Sequence, residues 1–167
     1  MRKIAIVGTA DGWNDYDRRM EVWCLAKMLT KNIYPQKVFA FDGVGIGIPD
    51  LDVEVVDPET FPFKEIGIDY YTNTICYMIA LGVYEQVDEM HLYGVRQAGL
   101  LEYMEQRRGV EFWIGFALGK GIRVEIHGTS QLLKNNRGVP YGYGEHETKE
   151  KSMKRVLDLT SYMLGNQ

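Results

Sequence analysis

The feature that most constrains this chain is the run Ile4-Ala5-Ile6-Val7, closed at once by Gly8. A strand apolar at every position is buried on both faces, and parallel sheets covered by helices are where such strands occur. Strand-type segments recur at Lys37–Phe41, at Asp52–Val56 (expected at the sheet edge), at His91–Val95 and at Ile122–Ile126. Helical patterns lie between them. Met20–Leu29 puts Val22, Trp23, Ala26 and Leu29 on one stripe, and Thr72 is positioned to cap an apolar helix through Ile75, Met78, Ile79, Leu81 and Val83. Glu102–Arg108 reads as a short helix and Val110–Leu118 as another, stopped by Gly119-Lys120-Gly121. Pro58 and Pro62 bracket a loop. Strands alternating with helices predict an α/β fold: a Rossmann-like three-layer sandwich with a mainly parallel sheet of about five strands.

The 167 residues suit one domain, 1–167, with a C-terminal amphipathic helix over 148–164. Its apolar stripe of Met153, Val156, Leu157, Thr160, Met163 and Leu164 packs either on the sheet or on a second copy, giving a homo-oligomer. No stretch of eighteen apolar residues occurs, so no membrane partner is expected, and the basic start Arg2-Lys3 precedes too short an apolar run for a signal peptide. The net charge of −4 argues against nucleic acid as a partner, although Arg107 and Arg108 form a local basic patch. Cys24 and Cys76 both fall in apolar helical patterns and read as buried free thiols, which fits a reducing cytoplasm. His91, His127 and His146 are scattered without zinc-site spacing, so neither a structural metal nor a cofactor is expected.

In open parallel sheets ligands bind beyond the carboxyl ends of the strands, near the switch in strand order. Three segments should meet there. Gly8-Thr9-Ala10-Asp11-Gly12 follows the first strand; its glycines allow close backbone approach to a phosphate, and Thr9 adds a hydroxyl. It is neither a dinucleotide fingerprint nor a P-loop, and a plain turn is the competing reading. Tyr70-Tyr71-Thr72-Asn73-Thr74 opens the apolar helix, where free N–H groups joined by the side chains of Thr72 and Asn73 suit an anionic or ribose-bearing ligand, unless Thr72 only caps the helix. Tyr93-Gly94-Val95-Arg96 precedes Glu102, Gln106, Arg107 and Glu111. There Arg107 can pair with a phosphate, and Glu102 or Glu111 can serve as base, nucleophile or ribose acceptor. A solvated run of helix charges is the alternative. Tyr141-Gly142-Tyr143-Gly144 reads as a packed surface turn or as a stacking loop for a base.

Tyr71–Leu81, Leu92-Tyr93-Gly94-Val95, Glu102-Tyr103-x-x-Gln106-Arg107, Glu111-Phe112-Trp113-x-Gly115-x-Ala117-x-Gly119 and Leu132-Leu133-Lys134 carry a resemblance. As a set they resemble a family of small Rossmann-like proteins of tailed bacteriophages, from the first strand to about Gly144. The resemblance implies a cytoplasmic location in the bacterial host. More distantly, the opening turn, apolar helix and Tyr-Gly-Val strand end look like the archaeal-type 6-hydroxymethylpterin diphosphokinases and the bacterial CMP-sugar sialyltransferases. Both place a nucleotide over the first turn and the strand ends, which implies a nucleotide-type small molecule here. Glu111 with Gly115 is similar to the glutamate helix of nucleoside deoxyribosyltransferases and nucleotide N-glycosidases, although their glutamate lies two residues before the glycine and Glu111 lies four before it. Two departures stand out. The phage family's Pro-Ser-Ser type turn is Ala10-Asp11-Gly12-Trp13 here, and its aspartate after Tyr-Gly-Val is Arg96. The second inverts the local charge, losing a metal or ribose contact and gaining one to phosphate.

The expected function is therefore nucleotide binding, with group transfer or hydrolysis on a nucleotide, nucleotide-sugar or related phosphorylated metabolite. Gly8, Thr9, Asp11, Thr72, Asn73, Tyr93, Gly94, Arg96, Gln106 and Arg107 would bind it, and Glu111 or Glu102 would do the chemistry. The alternatives are a phage protein that sequesters a nucleotide signal of host defence without converting it, and a structural or regulatory oligomer with no small ligand.

Overall fold

A computed structural model of the chain describes residues 1–41, 53–97, 101–134, 153–154 and 156–158, with the side chains of 101–103 outside it. The chain groups into two compact units, Met1–Leu133 and Lys134–Gln167. In the second, Met153, Lys154 and Val156–Asp158 are helical, within the span expected for the C-terminal helix. Tyr141, Tyr143 and His146 lie outside the described residues.

The first unit is a six-stranded parallel sheet with helices, an α/β Rossmann-like sandwich. Its strands are β1 (Lys3–Val7), β2 (Glu21–Leu25), β3 (Lys37–Phe39), β4 (Glu54–Val56), β5 (Glu89–Tyr93) and β6 (Arg123–Ile126). Its α-helices are α1 (Phe63–Ile66), α2 (Thr74–Tyr84) and α3 (Leu101–Gly119). The strand order is β4-β3-β2-β1-β5-β6. The chain thus builds outward from β1 to the edge at β4, then returns to the other side of β1 with β5. That return makes β1 and β5 the switch point. β4 takes the edge position expected for Asp52–Val56.

Two expectations are corrected. The first concerns Met20–Leu29, which is not a helix: Glu21–Leu25 is a strand between β1 and β3, and Ala26–Lys31 is a 3-10 helix. Val22-Trp23-Cys24-Leu25 is apolar at every position and buried, so its period does not distinguish strand from helix. The unpaired edge of β1 decides the matter by offering it a ladder. Cys24 therefore lies on a strand, while Cys76 is on α2, and both are buried free thiols. Burial pushes the Cys24 thiol to about 12, which keeps it protonated and inert.

The second correction joins the two helices expected on either side of Gly109 into one, α3. Gly109 does not break the helix, because its smallness serves packing. A Cβ there would lie 2.2 Å from the Thr72 hydroxyl, so the residue lets the start of α2 approach α3.

Helix α2 lies on the face of Ile4 and Met90, whose side chains would meet any Cβ added at Gly82. The opposite face of β5 carries Glu89, His91 and Tyr93, by strand alternation. A stack of rings, Trp113 on Tyr71 and Tyr71 on Tyr77 with Tyr77 against Phe41, ties α2 and α3 to the segment before α2. The Trp113 indole also donates to the Tyr70 carbonyl at 2.7 Å. Among the described residues no helix is long and apolar enough to cross a membrane.

Candidate functional site at the switch point

The carboxyl ends of β1 and β5 are stitched together by backbone. The Gly8 N–H donates to the Tyr93 carbonyl at 2.8 Å, and the Ala10 N–H to the Gly94 carbonyl at 2.9 Å. This closeness requires glycine at two places. A Cβ on Gly8 would stand 2.5 Å from the Gly94 carbonyl oxygen, and Gly94 itself has φ +63° with the Ala10 carbonyl 2.7 Å from any Cβ. Above this floor opens a cleft of about 620 Å³, a size suited to a small molecule.

Most residues expected at the site do line it: Gly8, Thr9, Asp11, Thr72, Asn73, Gly94, Arg96 and Gln106. Four elements contribute them: the turn after β1, the start of α2, the strand end of β5 and the first turns of α3. The α2 cap is Asn73 rather than Thr72; its side-chain oxygen accepts the Cys76 N–H at 3.2 Å. Thr72 instead donates its hydroxyl to the Gln106 carbonyl at 2.7 Å, fastening the cap to α3. The Asn73 amide reaches the Gln106 side-chain oxygen at 3.3 Å. Thr72, Asn73 and Gln106 thus hold one another at the start of α2, in the wall of the cleft.

Among the described residues the charges of the cleft are few. Lys27, Arg96 and Asp11 line it, all exposed, and among the described residues none of the three has an ion-pair partner. Lys27 was missed by the sequence reading, because it enters only through the 3-10 helix that follows β2. Gln97 was missed too; it lies at φ +48° with its side-chain oxygen buried and without a hydrogen-bond partner among the described residues.

Three expected site residues, Tyr93, Arg107 and Glu111, are not among the described residues that line the cleft. Tyr93 is buried with its ring against His127, centroids 4.2 Å apart. Arg107 donates to Glu111 at 2.7 Å, one turn along α3. The same Glu111 oxygen accepts the Leu133 N–H at 2.7 Å, so this carboxylate anchors the segment after β6. Glu102 falls in α3, and its side chain lies outside the described residues.

A second cluster was not foreseen at all. His91 and His127, read as scattered, meet on adjacent strands with Glu125: His91 Nδ1 is 3.0 Å from His127 Nε2, and Glu125 Oε2 is 3.5 Å and 3.7 Å from those atoms. No protein-family model matches this chain, nor does any curated protein or solved structure.

Proposed function

We propose that the cleft at the switch point binds a phosphorylated, nucleotide-type small molecule. One observation carries this reading: two cations without ion-pair partners among the described residues, Lys27 and Arg96, share a cleft with the N-terminus of α2 and only one described carboxylate, Asp11. Cationic side chains beside the positive end of a helix dipole are what a phosphate favours. Thr9, Thr72, Asn73 and Gln106 supply hydroxyl and amide groups for a sugar or base. The more distant likeness to the two nucleotide-binding groups supports the same ligand class.

Group transfer or hydrolysis would then rest on Asp11, the described carboxylate that faces the cleft. Glu111 does not suit that role, being held by Arg107 and the Leu133 N–H. This favours the second reading as well, in which the ligand is retained unchanged.

A thermal-shift screen against nucleoside mono-, di- and triphosphates and nucleotide-sugars, with mass spectrometry of each mixture, tests both. A ligand at a hundred times its dissociation constant adds about 2.7 kcal/mol, a rise of several degrees. Arg96→Ala should weaken that ligand about tenfold by losing a charge-assisted bond. Glu111→Gln should leave its affinity unchanged. Conversion marks an enzyme, and survival marks a binder. No shift from any compound sinks the cleft reading.

A further inference from the structure

The histidine pair and Glu125 converge on one point. His91 on β5 and Glu125 on β6 are register partners, and His127 follows two residues later, so all three side chains leave the sheet on one face. The His127 N–H donates to the Leu92 carbonyl at 2.9 Å, which keeps it in register beyond the end of β6. Their facing atoms, His91 Nδ1, His127 Nε2 and Glu125 Oε2, are separated by 3.0, 3.5 and 3.7 Å. Tetrahedral ligands at about 2.0–2.1 Å from a zinc ion lie about 3.3–3.4 Å from one another. The three atoms therefore need to move only a few tenths of an ångström to enclose an ion.

We propose that His91, His127 and Glu125 bind a divalent transition metal of the zinc class. Two imidazoles and a carboxylate select zinc, cobalt or nickel over calcium or magnesium, which take oxygen donors. The surroundings have the form of an outer shell. Glu89 Oε2 lies 3.3 Å from His91 Nε2, which places the proton of the neutral ring on Nε2 and turns the Nδ1 lone pair toward the ion. Tyr93 stacks on His127 and fixes that ring. Lys3 pairs with Glu89 at 2.8 Å, and Arg123 pairs with Glu125 through Oε1, leaving Oε2 for the metal. His127 coordinates through Nε2 with its proton carried on Nδ1. Three protein donors leave a fourth position for water, the arrangement of zinc sites that activate a water molecule.

The test is titration of the untagged full chain, stripped with chelator, with Zn²⁺ and Co²⁺. Calorimetry should give one ion per chain, and Co²⁺ should show the visible absorption of a tetrahedral site. His127→Asn and Glu125→Gln change half-buried positions at the end of β6 and should fold, as circular dichroism will show. Each should weaken binding by more than the roughly 10- to 100-fold that loss of an outer-shell partner costs. Glu89→Gln should cost within that range. Binding below one ion per chain, or binding that survives in His127→Asn, overturns the proposal.

Discussion

The two ends of the sheet treat charge in opposite ways. At the amino ends of the strands charges pair with one another: Arg2 bonds Glu21 and Glu85, and Lys37 bonds Glu54 and Glu85. These links tie β1, β2, β3, β4 and the end of α2 into one lattice. At the carboxyl ends Lys27, Arg96 and Asp11 stand without ion-pair partners among the described residues, over a floor of glycine backbone. Charges that satisfy one another hold a fold together. Charges left open at a switch point are available to something else.

The contrast breaks most severely at the floor. Gly94→Ala forces a side chain into a left-handed backbone against the Ala10 carbonyl. It should cost about 3 kcal/mol, lowering the melting temperature by about 6–12 °C in calorimetry. At the other end, Lys37→Ala strips a buried ammonium from Glu85 and from the more exposed Glu54. Discounted for that exposure, the loss should be about 2 kcal/mol by denaturant unfolding. Lys27→Ala at the cleft should move stability by less than about 0.5 kcal/mol in the same assay. Equal losses at both ends would erase the distinction.

The smallest effect expected is one of pH. Burial raises the Glu21 carboxyl, but hydrogen bonds from Arg2 and Trp23 outweigh burial and hold it below its ordinary value of 4.5. Its contribution is therefore present above about pH 4.5 and lost as the pH falls through the folded-state value. Stability measured from pH 6 down to pH 3 should fall in that window, and Arg2→Ala should flatten the slope.

Much of the fold was legible because β1 and α2 are apolar runs with clear ends. β2 was not, since Val22–Leu25 satisfies both periods and only the partner strand decides between them. The glycine turn, the α2 start and the Tyr-Gly-Val-Arg strand end pointed to the cleft because topology alone brings strand ends together. Lys27 escaped with the misread helix. Glu111 looked like chemistry because sequence shows a charge but not the Arg107 and Leu133 groups bonded to it. The histidine pair was hidden for another reason: 36 residues separate its members, and only the register of β5 on β6 closes that gap.

The contact between Gly8 and Gly94 also divides the site into parts that can and cannot be rewritten. Its base is main chain, identical for every amino acid, and tolerates no side chain. Selectivity has to be edited at the rim, where the exposed Lys27 and Arg96 can change without touching the sheet. A protein engineer retuning the ligand should leave the glycines alone and randomise that rim.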